Sequence, residues 1–279
     1  MILITGATGP TGRGIIPALV AQGLPVRALT HSPERKPELE ALGVAEVAVG
    51  DLLDAASVAQ ALSGCDAVYH IPPSVNPREP EMDALVLAAA QAAGVAHFVF
   101  HSLLHPLLTA LPHHLMHLQM EERLIDSGLP FTILQPTSYM QNWSARVHDD
   151  TLFVPWGPDA PLAQVDLADV GAVAARVLSE GGHLGATYEL CGSDLSFTQM
   201  AAIMSEATGR EVKVQRIPVA AWQEMLKKFG RTDEEVALLG KMAEHYDTGT
   251  FRGNPRVLTW LLGREPRTFA EVVRRELSR

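Results

Sequence analysis

The sequence predicts an α/β fold, a doubly wound parallel sheet with a small interleaved C-terminal lobe, on three observations. Short apolar runs alternate with longer amphipathic ones over the first two-thirds of the chain, the pattern of strands joined by crossover helices. A glycine follows each of the first five helical stretches, and the first apolar run opens directly onto a glycine-rich turn. The 279 residues are 47% hydrophobic and 19% charged, which suits one large domain with an appendage and excludes a disordered chain.

Taken in order, the strands are expected at Met1–Thr5, Val26–Thr30, Glu46–Gly50, Ala67–Ile71, His97–His101 and Phe131–Gln135. Each is a short apolar, β-branched or aromatic run. The helices between them are expected at Gly12–Gln22, Pro33–Leu42, Ala55–Leu62, Glu79–Ala93 and His114–Ser127, with Gly23, Gly43, Gly64, Gly94 and Gly128 as their terminators. After Gln135 the texture changes. Pro136, Pro155, Pro158 and Pro161 interrupt the chain, and Trp143, Trp156 and Trp222 appear where no tryptophan preceded. A strand at Thr187–Cys191 is expected to return to the sheet, followed by a helix at Thr198–Thr208 and a strand at Val212–Arg216. Further helices are expected near Ala220–Phe229, Thr232–Ala243 and Thr268–Leu277. On this reading residues 1–150 form a dinucleotide-binding domain and residues 151–279 mostly a substrate-side lobe, interleaved through the strand at 187–191.

Charge and composition narrow the function classes. Lys and Arg total 22 against 32 Asp and Glu, a formal charge of −10 that opposes phosphate-backbone binding, so no nucleic-acid partner is expected. Lys227-Lys228 and Arg274-Arg275 read as solvated helix faces. Cys65 and Cys191 lie far apart with no metal-ligand spacing, which fits a reducing cytoplasm. The start at Met1-Ile2-Leu3 offers no basic leader, and the most apolar run, Ala84 to Ala96, is broken by Gln91, so a membrane role is not expected. Eleven histidines raise the question of a metal, but His97 and His101 have no nearby carboxylate before Glu121, and no metal is expected. No Gly-x-Ser-x-Gly elbow is present, and Asp166 and Asp169 read as turn and capping residues.

The strongest motif is the run from Thr5 to Gly14, in which Gly6, Gly9 and Gly12 stand at GxxGxxG spacing between the first strand and the first helix. Such glycines permit a tight turn, backbone approach to a pyrophosphate and close packing of helix on strand. No Gly-Lys-Ser or Gly-Lys-Thr follows, so a P-loop is excluded. The loop residues Gly6, Thr8, Gly9, Pro10, Thr11 and Gly12 are therefore expected to hold a dinucleotide. The second strand ends without an acidic residue for a ribose hydroxyl and offers His31, Arg35 and Lys36 instead, which suit the 2′-phosphate of NADP(H), with NAD(H) as the less favoured cofactor. Asp51 and Leu52 follow the third strand within reach of an adenine, and Ile71, Pro72 and Pro73 would wall a ribose.

The chain resembles the NmrA-like group of atypical short-chain dehydrogenases/reductases over nearly its whole length. The resemblance rests on Thr5 to Gly12, Gly50-Asp51, Glu121-Glu122, Ser127 through Pro136, Val165 through Val170, and Gly263 through Phe269. It is nearest the branch of NADPH-dependent quinone oxidoreductases and triphenylmethane reductases. That resemblance implies a Rossmann domain with a small C-terminal substrate lobe. Two departures are Gln135 and His31, where members of the group carry Arg.

Most short-chain dehydrogenases protonate a carbonyl oxygen through Tyr-x-x-x-Lys, the Lys lowering the Tyr pKa. Here the residues four after the tyrosines are Pro73, Trp143, Gly192 and Thr250, and no lysine lies between Lys36 and Lys213. By resemblance, His117 takes the place of the family's helical lysine. A quinone or delocalised cation spreads incoming charge and depends less on a positioned acid than a ketone does. The expected activity is therefore hydride transfer from NAD(P)H to a quinone-like small-molecule acceptor, with His117 as proton donor and Tyr139 lining the pocket, and Ser102 beyond the fifth strand as a weaker cofactor-side candidate. The alternative is a non-catalytic NADP(H) sensor acting through a protein partner, as the group's name-giving regulator does. Neither a monomer nor a homodimer is favoured by the residues.

Overall fold

The computed structural model describes residues 1–73, 75–146 and 149–278. In chain order the strands are β1 (Ile2–Ile4), β2 (Val26–Thr30), β3 (Glu46–Val49), β4 (Ala67–His70), β5 (His97–His101), β6 (Phe131–Pro136), β7 (Ser138–Tyr139), β8 (Thr151–Val154), β9 (Leu162–Val165), β10 (Ala186–Leu190), β11 (Ser193–Leu195) and β12 (Lys213–Arg216). The helices are α1 (Pro10–Ala21), α2 (Lys36–Glu40), α3 (Ala55–Leu62), α4 (Glu79–Ala93), α5 (Pro112–Asp126), α6 (Gln141–Ser144), α7 (Leu167–Ser179), α8 (Phe197–Thr208), α9 (Val219–Lys228), α10 (Asp233–Tyr246), α11 (Arg256–Leu262) and α12 (Phe269–Leu277). The chain divides into two compact units. The first comprises Met1–Thr109, His114–Pro136 and Val170–Tyr188, and the second Ala110–His113, Thr137–Asp169 and Glu189–Arg279.

The first unit is built on a seven-stranded sheet of order β10-β6-β5-β4-β1-β2-β3. All five pairings from β3 to β6 are parallel. β1 and β4 are buried along their whole length, as expected when helices cover both faces of a parallel sheet. One core cluster runs from Leu3 through Val58, Val68, Val86, Phe98 and Phe100 to Leu124 and Ile133. The strand order reverses between β1 and β4, the place where doubly wound sheets open a crevice at their carboxyl ends. The five glycines read as helix terminators all have φ between +63° and +83°. Two helices differ from the sequence reading. α1 starts at Pro10, because proline's fixed φ and missing N–H suit the first helical position. The expected helix 33–42 is a 3-10 turn at Pro33–Arg35 followed by the short α2, since Pro37 falls inside it.

The second unit carries two small sheets, β11-β9-β7 and β12-β8. β11 runs antiparallel to β9, while β7–β9 and β12–β8 are parallel. Three of its helices begin with capping boxes: Ser196 with Gln199, Thr232 with Glu235 and Thr268 with Glu271. Trp143, Trp156, Phe197, Tyr246 and Phe251 form its aromatic core, with Trp143 edge-on to Phe197 at 4.5 Å and Tyr246 stacked on Phe251 at 4.6 Å. Asp166 caps α7 as the sequence suggests, its Oδ1 accepting the Ala168 N–H at 3.2 Å, and both it and Asp169 also carry ion pairs that the sequence did not show. Both are fully buried. Arg275 bonds both oxygens of Asp166, while Arg264 and Arg267 pair with Asp169.

Candidate functional site

The crevice between β1 and β4 is shaped by glycines that have no room for a side chain. Gly6 turns the chain at φ +60°, and a Cβ there would lie 2.8 Å from the Ile71 carbonyl oxygen. A Cβ on Gly12 would lie 2.5 Å from the Gly6 carbonyl oxygen and 2.6 Å from Cα of Ala7, so the first turn of α1 rests directly on the loop. The Gly9 N–H donates to the Gly6 carbonyl at 3.0 Å and closes the turn. No side chain caps the start of α1, leaving its first N–H groups for an anion.

This loop forms one wall of a cavity of about 450 Å³, within the size range of ligand sites. Of the residues expected to bind a dinucleotide, Gly6, Thr8, Gly9, Pro10, Thr11, His31, Asp51, Leu52, Ile71, Pro72 and Pro73 line it. Leu29, Thr30, Gly50, Asn76 and Met82 complete the lining. Gly50 is constrained as well, because a Cβ would lie 2.3 Å from Oγ of Ser57, the atom that accepts the Asp51 N–H at 2.9 Å. The residues present fit a dinucleotide: a backbone cradle that excludes side chains, uncapped N–H groups and an apolar slot closed by Ile71 and Leu29.

Four of the expected residues lie outside that lining. Gly12 acts through the packing just described. Arg35 braces the loop, donating from Nη2 to the Thr8 carbonyl at 2.8 Å while its guanidinium holds Glu38 through bonds of 3.1 and 2.6 Å. Glu38 is held below the usual carboxylate range by its bond to Arg35. Lys36 is half-buried at the start of α2. Ser102 is buried, and its hydroxyl donates to Glu121. Gln135 donates its amide to both Glu121 oxygens, at 2.9 and 3.0 Å. Glu121 is thus held by two neutral donors, and burial pushes its carboxyl up against them.

Of the two residues expected to do chemistry, Tyr139 lies half-buried on β7 in the second unit. His117 is buried on α5. Its ring lies 5.6 Å from that of Phe100, and its Nε2 is 3.3 Å from Oε1 of Glu79. Glu79 opens α4, is fully buried, and burial followed by the neighbouring Asp83 pushes its carboxyl up to about 9. Asp83, one turn on, bonds Nε2 of His70 at 2.8 Å, and Nδ1 of His70 meets the Thr5 hydroxyl at 2.7 Å. The Thr5–His70–Asp83 chain has the composition of a hydrolase triad. All three are buried, and the Thr5 oxygen accepts the Ile71 N–H at 2.9 Å, so the chain ties β1 to β4 under the glycine loop.

Three further histidines of this region have structural partners. His97 bonds Thr132, His101 bonds Tyr69, and His114 bonds the His105 carbonyl. Burial brings His97 down to about 4 and His101 to about 3. Among the described residues no group of three or more His, Cys, Asp or Glu side chains could hold a metal ion. Glu79, Asp83 and His70 were not singled out from sequence. The only signal was a pair of acids at i, i+4 in an otherwise apolar helix, which ordinarily reads as a solvated face.

Three comparisons bear on this site. The model of the NmrA-like family matches residues 1–270. Quinone oxidoreductase 2 of Escherichia coli is 34% identical over 98% of this chain and 97% of its own, and the NAD(P)H azoreductase of Xenophilus azovorans is 29% identical over 97% and 96%. The crystal structure of the NADPH-dependent quinone oxidoreductase from Escherichia coli in complex with NADPH superposes with a TM-score of 0.85, at 32% identity, over 99% of this chain and all of the other.

Proposed function

The chain belongs to the NmrA-like family, and from that premise we propose that it is an NADPH-dependent oxidoreductase acting on quinone-like or similarly delocalised acceptors. The observation that carries the reading is the glycine-loop cavity at the β1/β4 switch point in a chain without a Tyr-x-x-x-Lys pair. A dihydronicotinamide bound there supplies a hydride. Gly6, Gly9 and Gly12 bring backbone close to the pyrophosphate, and Thr8 and Thr11 add hydroxyls beside it. His31 and Lys36 receive a 2′-phosphate, with Arg35 holding the loop in place. Asp51 accepts from the adenine amine, Leu52 packs on the base, and Ile71, Pro72 and Pro73 wall the adjoining ribose.

His117 is the proton-holding group for the reduced acceptor's oxygen, and Tyr139 shapes the acceptor's pocket. In this reading the first unit, which holds the whole cavity lining, carries the cofactor, so the expected boundary at residue 150 moves to the unit boundaries given above. Cys65 and Cys191 are both free and buried, as suits a chain working in a reducing cytoplasm. No helix among the described residues is long and apolar enough to cross a membrane. The test is NADPH oxidation in the presence of a quinone, with His117→Ala alongside. Turnover by the native chain and a kcat lowered by about tenfold or more in the variant are expected. NADPH binding without turnover on any quinone, azo dye or cationic dye would sink the proposal.

A further inference from the structure

Glu79 is an anomaly of the first unit. It is fully buried, and neither carboxyl oxygen has a hydrogen-bond partner among the described residues. An ionised carboxylate so placed would cost several kcal/mol, whereas a protonated one needs an acceptor for its single O–H. The groups around it narrow the choice. Asp83, one turn along α4, is itself fully buried and faces His70. Arg78, the preceding residue, is exposed and paired with Glu81, so it does not neutralise Glu79. Arg123 of α5 also points outward, to the Pro80 carbonyl. What remains is Nε2 of His117, 3.3 Å from Oε1.

Resting on the role given above to His117, we propose that Glu79 is its positioning residue. Its carboxyl stands against Nε2 and so fixes which way the imidazole faces and which of its nitrogens carries the proton. Phe100 fixes the ring from the side, its centroid 5.6 Å away, and His70 stacks on that same Phe100 at 6.0 Å. The anchor also has a fixed relation to the cofactor cavity, because Glu79 sits between Asn76 and Met82, both of which line it. A residue that only filled space here would be apolar. The carboxyl is tolerated in the core because the imidazole needs a polar partner at that point, and burial beside Asp83 raises its pKa.

The experiment compares the full chain with Glu79→Gln and Glu79→Leu. Gln keeps a polar group of the same shape without an ionisable proton, and Leu removes it. The first readout is 15N NMR of the His117 ring at neutral pH without cofactor. Native chain and E79Q should show the same single tautomer, and E79L a mixture of the two. The second is quinone reduction, where E79L should lose about tenfold in kcat, the scale of one hydrogen bond, with KM little changed, while E79Q stays within about threefold of native. An imidazole protonated on both nitrogens in the native chain, the sign of an ion pair, would overturn the proposal. So would an E79L spectrum identical to native. If E79L does not fold, the native and E79Q spectra still decide. Undiminished turnover by His117→Ala would remove the role assigned to His117 and leave the tautomer result to stand on its own.

Discussion

Replacing Glu79 by glutamine should make the protein more stable at neutral pH, by an amount that grows with pH. Glu79 is fully buried with its carboxyl pushed up to about 9, against an ordinary value of 4.5. Between these limits the folded chain keeps a proton that the unfolded chain releases. Stability then falls by about 1.4 kcal/mol per pH unit. The contribution is fully present below 4.5, shrinks as pH rises, and is exhausted as pH passes through about 9. At pH 7 the cost is about 3.5 kcal/mol, from 2.5 units at about 1.4 kcal/mol each. Urea denaturation of native chain and E79Q at pH 6 and pH 8 measures it directly. The stability gap between the two should widen by about 3 kcal/mol over that interval, with unchanged m-values. Parallel stability curves would mean that Glu79 is ionised in the folded chain, and the argument for a neutral acid beside His117 would fail with them.

Gly12→Ala should weaken NADPH binding and destabilise the first unit by about 1–3 kcal/mol, because the new Cβ meets fixed backbone of Gly6 and Ala7; thermal melts and a fluorescence titration check both. His31→Ala should lower NADPH affinity by about tenfold and leave NADH unaffected. Arg35→Ala should weaken both cofactors alike, since that guanidinium braces Thr8; equal effects of the two variants on NADPH and NADH would refute the division of labour. Replacing Arg264 and Arg267 together by Met leaves the fully buried Asp169 without its cations and should cost about 3–5 kcal/mol; calorimetry of the double variant against each single one measures it.

The first unit was legible because its signals are local and repeated. Each βα step ends at a glycine that adopts positive φ, each buried strand is a short apolar run, and the glycine loop is a contiguous motif in its required place. The cavity lining followed, since in this architecture a ligand site gathers the residues just after successive strands: Gly6 after β1, His31 after β2, Asp51 after β3 and Ile71 after β4. The second unit was less legible. β7, β8, β9 and β11 are two to four residues long, too short for periodicity to register. Helices α7 and α11 were passed over, and the paired motifs at 165–170 and 263–269 hid their reason, which is that Asp169 and Arg267 meet across 98 residues.

The buried acids show a second kind of limit. Asp83 and Glu79 look from sequence like the polar face of α4, yet both are in the core, because the residues that make them tolerable, His70 and His117, come from other elements. Sequence offers the donor and the acceptor separately, and only the tertiary fold brings them within 3.3 Å. The same holds for Ser102, Glu121 and Gln135, contributed by the end of β5, by α5 and by β6. In both clusters a buried carboxyl faces side chains other than lysine or arginine. Burial raises the pKa of Glu79 beside the imidazole and of Glu121 beside Ser102 and Gln135, so each cluster holds a carboxyl that keeps its proton to higher pH than an exposed one would.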